Sequence, residues 1–221
     1  MKRSSFHFLL RCGFIVAWIG VALFGWTELY RHTYEPSQTV LPTDDVVLQL
    51  DSDVELSKGR FQIVVFAHPL CPCTHAALDM LNESLTRLPQ DTAIRVVFVI
   101  KGLPGSAAAD SKTVRFAKQL PGVDVQFDET GVAAAKYGAR VSGEVFAFDK
   151  TGTCVFHGGL TSGRGHRGES TGQRELECRA AGNANNRYDG PVFGCRLPVT
   201  DLNPSSKHTL DHKVQLEASL P

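Results

Sequence analysis

Residues 61–75 read FQIVVFAHPLCPCTH, and this stretch carries the pattern that decides the fold. Its first part, Phe61–Phe66, is rich in β-branched and aromatic residues and predicts a buried strand. The apolar positions that follow recur at helical spacing, at Leu78, Leu81, Leu85 and Leu88. Cys71 and Cys73 therefore lie near the start of a helix, where unpaired N–H groups and the helix dipole favour a thiolate. The stretch predicts either a reactive thiol site or a site for a soft metal.

Predicted strands and helices alternate along the following part of the chain. The strands are Ala93–Ile100, Val123–Phe127, Val145–Phe148 and Cys154–His157. The helices are Ser106–Leu120, Thr130–Tyr137 and Gln173–Ala181. The turn sequence Asp149–Gly152 joins the last two strands as a hairpin. This order predicts a mostly parallel sheet with helices on both faces, to which the hairpin adds an antiparallel edge.

The N-terminal residues 1–30 predict a membrane segment. Basic residues at Lys2, Arg3 and Arg11 accompany the start of an apolar run that ends at Trp26. The run is long enough for the roughly 20 helical residues that cross a bilayer core about 30 Å thick. A cleaved signal peptide is the alternative, but the run ends without a small-x-small cleavage site, which favours an uncleaved signal anchor. The basic residues predict a single-pass protein with a cytoplasmic N-terminus and a domain on the exported, periplasmic-type side.

The remaining chain divides into three parts. Residues 31–58 are polar and contain prolines, and they predict a tether with a short strand at Val46–Leu50. Residues 59–182 contain the α/β domain, and residues 183–221 form an Asn-, Pro- and Ser-rich tail that is expected to be irregular. Lys and Arg total 23, and Asp and Glu also total 23. Because these charges balance, nucleic acid is not predicted as a partner.

The number of cysteines adds a constraint. The chain has six cysteines, of which Cys12 lies in the membrane segment and the others in the exported part. An odd number of exported thiols leaves at least one free, paired between molecules, or bound to a ligand. Cys154 lies in a predicted strand and Cys178 in a predicted helix, so both are interpreted as structural. Cys195 follows Pro191–Gly194 in the tail and is open as a third redox or ligand cysteine.

The region Phe61–Ala181 resembles a thioredoxin-like domain of the membrane-anchored, exported TlpA/ResA-like branch. The resemblance rests on the strand before the cysteines, the helix that begins at the second cysteine, and the segments Phe127–Asp128, Lys136–Arg140 and Val145–Gly152. A group described as RedB is also similar, through His68–His75 and Gly158–His166. The resemblance implies a thioredoxin-like mixed sheet and disulfide exchange with an exported or membrane protein that carries a disulfide or a dithiol. No cofactor is required for such exchange.

Two positions depart from the family pattern. The family has two residues between its active-site cysteines, whereas Pro72 alone separates Cys71 from Cys73. The family also has a cis-proline before the hairpin strand, facing the cysteines, and Gly143 takes that position here. Pro72 and Gly143 are therefore auxiliary site residues, and the ordinary clamping of a substrate by the cis-proline is not expected.

Thiol–disulfide exchange is the leading interpretation of Cys71 and Cys73. A disulfide across one residue closes a small, strained ring that stabilises little of the fold, so a structural disulfide is the weaker alternative. Strain also makes such a bond easy to reduce. Cys71 is predicted to be the more exposed thiol with the lower pKa, which reacts with the partner. Cys73 is predicted to resolve the mixed disulfide.

Further residues are expected to assist these thiols. His68 ends the first strand beside the cysteines and is a candidate base. The loop Gly158–Gly172 is predicted to return opposite the cysteines, which places Arg164 and His166 near Cys71. There, Arg164 would lower the pKa of a thiolate or bind an anionic group. The alternative is a flexible, glycine-rich surface loop without a role in the site.

The same sulfur atoms suit a second function, the binding of a soft metal. Cys71 and Cys73 with His68 or His75 would form a site for Cu(I), and also for Zn(II). His75 shares the polar face of its helix with Asp79, so the alternative for His75 is a solvated surface residue. The alternative function is thus a copper carrier. A thiol peroxidase is a weaker interpretation, because no Thr/Ser-x-x-Cys arrangement precedes the first cysteine of the pair.

Overall fold

The sheet forms from the segments that the sequence predicts as strands. The structure is a computed structural model that describes residues 2–39, 59–184 and 186–200. Its first five strands are β1 (Gln62–Ala67), β2 (Ala93–Val99), β3 (Val123–Asp128), β4 (Glu144–Phe148) and β5 (Cys154–Gly159). A short sixth strand, β6 (Tyr188–Asp189), comes from the tail. The five strands that the sequence predicts within residues 59–182 are therefore present, with their ends shifted by one or two residues.

Strand pairing makes this a mixed sheet with the order β3-β2-β1-β4-β5-β6. The strands β1, β2 and β3 run parallel to one another. Strand β4 is antiparallel to both β1 and β5, and β6 is parallel to β5. Because β1 lies between β2 and β4, its carboxyl end opens at the middle of the sheet. The loop that contains the two cysteines begins at this end.

Six helices accompany the sheet in the described part of the chain. They are α1 (Lys2–Tyr34), α2 (Pro72–Ser84), α3 (Gly105–Ala109), α4 (Lys112–Gln119), α5 (Val132–Tyr137) and α6 (Thr171–Ala180). The sequence predicts one helix over Ser106–Leu120, whereas the structure has α3 and α4 in this region. Helix α4 has its own N-cap, because the Ser111 side chain accepts a hydrogen bond from the Val114 N–H at 3.1 Å.

The sheet buries both of its faces. On one face, Ile63 and Val65 of β1 pack with α2, α4 and α6, which contribute Leu78, Leu81, Val114 and Leu176. On the other face, Val64 and Phe66 pack with Tyr137 of α5. Successive side chains of a strand point to opposite faces, so β1 contributes to both cores. The predicted α/β class, a mixed sheet with helices on both faces, is confirmed.

Helix α1 is long and apolar. Within its segment Arg11–Tyr34, a window of 18 residues has a mean hydropathy of 1.6, and by length and composition the helix is apolar enough to cross a membrane. Large apolar side chains along it are exposed, among them Phe14, Trp18, Phe24 and Trp26. The helix contains the predicted membrane segment and continues beyond residue 30. The side of the membrane on which the domain lies stays a prediction, and the predicted strand at Val46–Leu50 lies outside the described residues.

The described part of the tail, residues 186–200, has little regular structure beyond β6 and folds back onto the domain. Within it, Arg196 pairs with Val141 in an isolated β-bridge. The tail is held by burial, since Val192 is 1% exposed and Leu197 is 3% exposed. Burying two such side chains stabilises the folded tail by about 1.5–3 kcal/mol each. The tail is thereby held against the sheet.

Candidate thiol site

The loop after β1 places two cysteines at the start of α2. Cys71 is the N-cap residue, with φ −89° and ψ 123°, and Pro72 occupies the first helical turn. Proline suits this place because its missing N–H would have no partner inside the helix and its φ is already helical. Cys73 follows in the same turn, where the Thr74 N–H donates to the Cys71 carbonyl at 3.1 Å. Both cysteines therefore lie at the positive end of the helix dipole.

A third cysteine completes this site. The Sγ atoms of Cys71, Cys73 and Cys195 all lie within 4.8 Å of one another. The other described cysteines do not belong to this cluster: Cys12, Cys154 and Cys178. We call the three sulfurs the thiol cluster. Sequence reasoning left the role of Cys195 open, and the only signals for it were the odd number of exported cysteines and the apolar residues just before it.

Burial divides the thiol cluster unevenly. Cys71 is 4% exposed and Cys73 is 6% exposed, whereas Cys195 is exposed. The prediction that Cys71 is the more exposed of the two helix cysteines is wrong. The prediction failed because the tail packs next to α2, a contact that the sequence did not indicate. A partner that approaches from solvent therefore meets Cys195 first.

Backbone pairing holds Cys195 in place. The Ser142 N–H donates to the Cys195 carbonyl at 2.8 Å, and the Leu197 N–H donates to the Arg140 carbonyl at 2.8 Å. Gly194 allows the close approach, because a β-carbon at this position would lie 2.0 Å from the Ser142 carbonyl oxygen. The tail is thus bonded to the loop before β4 at Cys195 and again at Leu197.

Replacement of Gly194 by alanine is expected to loosen the tail. The added β-carbon would overlap the Ser142 carbonyl, and relief of such overlap costs about 1–3 kcal/mol. We expect a lower thermal midpoint and faster maleimide labelling of Cys71 than in the unchanged protein. Gly105→Ala is the matched control, since a β-carbon there meets nothing within 4 Å. Equal labelling rates in the two variants would show that the tail does not cover Cys71.

Hydrogen bonds within the thiol cluster separate the pKa values of its members. The thiol of Cys73 donates to the Cys71 sulfur, and this bond lowers the pKa of Cys71 to about 4 although burial opposes it. The thiol of Cys195 and the backbone N–H of Thr74 donate to the same sulfur. The hydrogen bond from Cys73 to Cys71, together with burial, raises the pKa of Cys73. Burial and the bond to Cys71 raise the pKa of Cys195 to about 11. At neutral pH the cluster therefore holds one thiolate, Cys71, between two thiols.

Arg164 links the thiol cluster to the end of α1. Its backbone N–H donates to the Thr33 carbonyl at 2.9 Å, and its guanidinium donates to Ser37 Oγ at 2.9 Å and to the Gly194 carbonyl. The charge of Arg164 also lowers the pKa of Cys73 and of Cys195, although larger effects raise both. The Arg164 charge therefore acts on Cys73 and Cys195, and the predicted position of Arg164 beside Cys71 stays a prediction. Its hydrogen-bond partners are the tail and the residues after α1.

His68 lies on the loop between β1 and the cysteines. The Cys71 N–H donates to its carbonyl at 3.2 Å, and the Leu70 N–H donates to its Nδ1 at 3.3 Å. Burial lowers the pKa of His68, against the opposing effect of the Cys71 charge. A neutral imidazole beside a thiolate is suitable for accepting a proton, and the role of His68 as a base stays a prediction.

The other two predicted histidines point to different neighbours. The ring of His75 lies 4.9 Å from Phe116, and its Nε2 lies 4.0 Å from Asp79 Oδ2. The ring of His166 is exposed and lies 5.2 Å from Tyr34 at the end of α1. Neither these histidines nor His68 belongs to the group of ligand atoms that lie within 4.8 Å of one another.

Gly143 has a conformation that few other residues adopt. Its φ is +90°, and its N–H donates to the Phe66 carbonyl at 2.8 Å. Proline would lose this bond and cannot reach a positive φ, so the backbone of this loop excludes it. The neighbouring Ser142 hydroxyl accepts from the His68 N–H at 2.9 Å and bonds to Thr74 Oγ1. Sequence reasoning missed Ser142 and Thr74, which tie the loop before β4 to α2.

A buried carboxylate, that of Glu144, supports the loop before β4 through hydrogen bonds to its backbone. Glu144 is 0% exposed, and its Oε2 accepts hydrogen bonds from the N–H groups of Arg140 at 2.8 Å and Val141 at 3.0 Å. Its Oε1 lies 2.7 Å from Nε2 of the equally buried His157. The second ring nitrogen, Nδ1, lies 3.3 Å from Asp189 Oδ1. This pair holds in place the backbone with which the tail pairs, and no local sequence signal pointed to it.

No protein-family model matches the sequence, and no curated protein matches it. Among solved structures, the chain is similar to an uncharacterized conserved protein from Geobacillus kaustophilus, with a TM-score of 0.51, 16% identity, and 77% of this chain and 94% of the other covered. A hypothetical protein from Sinorhizobium meliloti 1021 has a TM-score of 0.51 and 16% identity, with 75% and 97% covered. These likenesses concern the fold. A secreted Mycobacterium tuberculosis disulfide oxidoreductase is similar at a TM-score of 0.40 and 17% identity, with 57% and 83% covered.

Proposed function

We propose that the protein is a membrane-anchored, exported thiol–disulfide oxidoreductase that acts through Cys71 and Cys73. The observation that carries this proposal is that the Cys71 and Cys73 sulfurs lie within 4.8 Å of each other at the start of α2. There, the helix dipole and the neighbouring thiol favour a thiolate at Cys71 and a thiol at Cys73. Exchange needs one thiolate as the nucleophile and a neighbouring thiol that later displaces the partner. A purely structural pair of cysteines would need neither.

The chemistry in the reducing direction follows from these protonation states. The Cys71 thiolate attacks one sulfur of the partner's disulfide, so that the partner's S–S bond breaks and its second sulfur leaves as a thiolate. The Cys73 thiol then gives its proton to that thiolate and attacks Cys71 Sγ. The Cys71–Cys73 bond forms, the partner's first sulfur leaves as a thiolate, and the partner has gained two electrons. The reverse sequence oxidises a dithiol.

The partner in this proposal is another exported or membrane protein with a disulfide or a dithiol. Helix α1 supports an anchored location, because it is long and apolar enough to cross a membrane. Its end contacts the site through Arg164, which would keep the thiol cluster close to the membrane surface. Both electrons remain on sulfur throughout, so no cofactor is required. The motifs described above favour the TlpA/ResA-like branch, and the RedB group is the other group that they resemble.

The reduction potential of the site tests the proposed function. The full chain in detergent micelles is equilibrated with a metal-free series of thiol/disulfide buffers, and its free thiols are trapped by alkylation. We expect one cooperative two-electron transition, at a potential above the roughly −300 mV below which structural disulfides lie. Cys71→Ser should lose the transition, and Cys178→Ser, outside the thiol cluster, should retain it. A wild-type chain that stays fully reduced across the series would overturn the proposal.

Copper binding is the second candidate function, and the third sulfur specifically favours it. Cys71, Cys73 and Cys195 offer three soft ligands in one place, a donor set that suits Cu(I). The histidines proposed from the sequence lie outside that donor set. If the chain stays reduced in the buffer series and binds Cu(I) tightly through these cysteines, a copper carrier replaces the oxidoreductase as the function.

A further inference from the structure

The proposed exchange meets an access problem at Cys71 and Cys73. Both residues are less than a tenth exposed, so neither sulfur is open to a folded partner. Cys195 is the exposed member of the thiol cluster and lies within 4.8 Å of both other sulfurs. Cys195 is therefore the member of the thiol cluster that a partner reaches without opening the fold.

The position of Cys195 is maintained by the fold. The residue before it, Gly194, accepts a hydrogen bond from the Arg164 guanidinium through its carbonyl, and Cys195 itself accepts one from the Ser142 N–H. Two residues later, the Leu197 N–H bonds to the Arg140 carbonyl. Contacts on both sides of the cysteine fix its backbone, so a small shift of the side chains brings its sulfur to Cys71.

Geometry also favours a bond between Cys71 and Cys195 over the bond to Cys73. A disulfide between residues separated by Pro72 alone closes a small ring and carries strain. Cys71 and Cys195 come from distant parts of the chain that the fold has already placed together, so their disulfide closes no such ring. The two bonds share one sulfur, and exchange between them moves no electrons in or out of the protein.

We propose that Cys195 is a third redox residue, which competes with Cys73 for the disulfide to Cys71 and presents its exposed sulfur to the partner. This inference rests on the proposed thiol–disulfide exchange. Starting from the Cys71–Cys73 disulfide, Cys195 loses its proton and attacks Cys71 Sγ. The Cys71–Cys195 bond forms, the bond to Cys73 breaks, and Cys73 takes up the proton.

The new disulfide then reacts with a partner dithiol in two balanced steps. A thiolate of the partner attacks the exposed Cys195 sulfur, the Cys71–Cys195 bond breaks, and Cys71 leaves as a thiolate. The partner's second thiol then attacks the partner's first sulfur, which is bonded to Cys195 in the mixed disulfide. The partner's disulfide forms, and Cys195 is released. The partner has lost two electrons to form its disulfide, and the protein has gained them. Cys71 suits the leaving role because its pKa is low, and thiols of low pKa leave faster.

Disulfide mapping tests this inference. The full chain in detergent micelles is oxidised in a metal-free thiol/disulfide buffer, alkylated, and mapped by mass spectrometry without reduction. We expect Cys73→Ser to form the Cys71–Cys195 disulfide and Cys195→Ser to form only Cys71–Cys73. The wild-type chain should contain both. Cys178→Ser is the control and should give the wild-type map.

The outcomes separate the inference from the function on which it rests. If Cys73→Ser stays reduced while the wild type and Cys195→Ser both form Cys71–Cys73, the exchange function is retained and the role of Cys195 is overturned. If the wild-type chain forms no disulfide at Cys71 at all, both fail. Maleimide labelling of the exposed Cys195 gives a second readout on unmutated protein. Oxidation should protect part of the Cys195 population from labelling, and complete labelling of Cys195 in fully oxidised protein would also overturn the inference.

Discussion

Cys71 is expected to remain a thiolate down to about pH 5, well below the range in which ordinary cysteines protonate. Its pKa is lowered to about 4 by the hydrogen bond from the Cys73 thiol, with further donors from Cys195 and the Thr74 backbone. At pH 6 a cysteine with an unperturbed pKa of about 8.5 is about 0.3% thiolate, so Cys71 should hold about 300-fold more. Thiolate absorbance near 240 nm, followed from pH 9 to pH 3, measures this directly.

The variants assign the absorbance step to the thiol cluster. Cys71→Ser should remove the step near pH 4, whereas Cys178→Ser should leave it unchanged. Cys73→Ala removes the main donor and should raise the midpoint, and Cys73→Ser, which retains a hydroxyl donor, should raise it less. Because the three thiols interact, the step reports the first deprotonation of the cluster as a whole. A midpoint between pH 8 and pH 9 in the wild type would contradict the predicted stabilisation of the thiolate.

A low pKa affects the direction of exchange more than its speed. Thiolates of lower pKa are weaker nucleophiles, which offsets part of the gain in thiolate fraction. Stabilisation of the thiolate also stabilises the reduced form, which makes the corresponding disulfide a stronger oxidant. The hydrogen bonds around Cys71 therefore favour the oxidation of a partner dithiol, and the reduction potential measured for the site should lie on the oxidising side.

Replacement of Glu144 by alanine is expected to destabilise the domain more than any other single change in the buried polar network. The substitution leaves three groups without their acceptor: His157 Nε2 and the N–H groups of Arg140 and Val141. Each buried donor left without its acceptor costs about 1–3 kcal/mol, so the loss of all three bonds adds up to several kcal/mol. For a domain of this size we expect the thermal midpoint of the full chain in detergent to fall on the order of 10 °C.

Two further substitutions serve as controls for the effect of Glu144→Ala on stability. Glu144→Gln keeps a carbonyl acceptor for the backbone and should cost less than Glu144→Ala. Glu169→Ala removes a glutamate whose side chain is 89% exposed and 3.6 Å from Arg174, so it should change stability by less than about 1 kcal/mol. Loss of Glu144 should also increase labelling of Cys71, because the loop that pairs with the tail loses its support. A Glu144→Ala chain as stable as Glu169→Ala would show that the pair does not support the fold.

Local sequence patterns were sufficient for the elements next to the helix cysteines. Strand β1 and helix α2 follow from a β-branched run and from apolar residues at helical spacing, which are properties of short segments. The position of Pro72 at the beginning of α2 follows from its fixed φ and missing N–H. The break between α3 and α4 was missed because it depends on a single cap at Ser111, within a segment whose residues all tolerate a helix.

The other half of the site has no comparable signal. Cys195 reaches Cys71 because Val192 and Leu197 bury their side chains and because the tail pairs with the loop before β4. Glu144 and His157 meet only through the pairing of β4 with β5, and in the sequence each is a polar residue in an apolar strand. Contacts between segments far apart in the chain leave no periodic pattern along it.

By itself, the sequence determined the fold class, the apolar N-terminal helix, and the placement of Cys71 and Cys73 at the start of α2, since each of these depends on residues close together in the chain. Tertiary structure alone decided that the third member of the site is Cys195 and that both helix cysteines are buried. The physical reason is that burial and backbone pairing are properties of the whole fold. Burial depends on which distant segments pack together and exclude water, and backbone pairing depends on which of them form hydrogen bonds with one another.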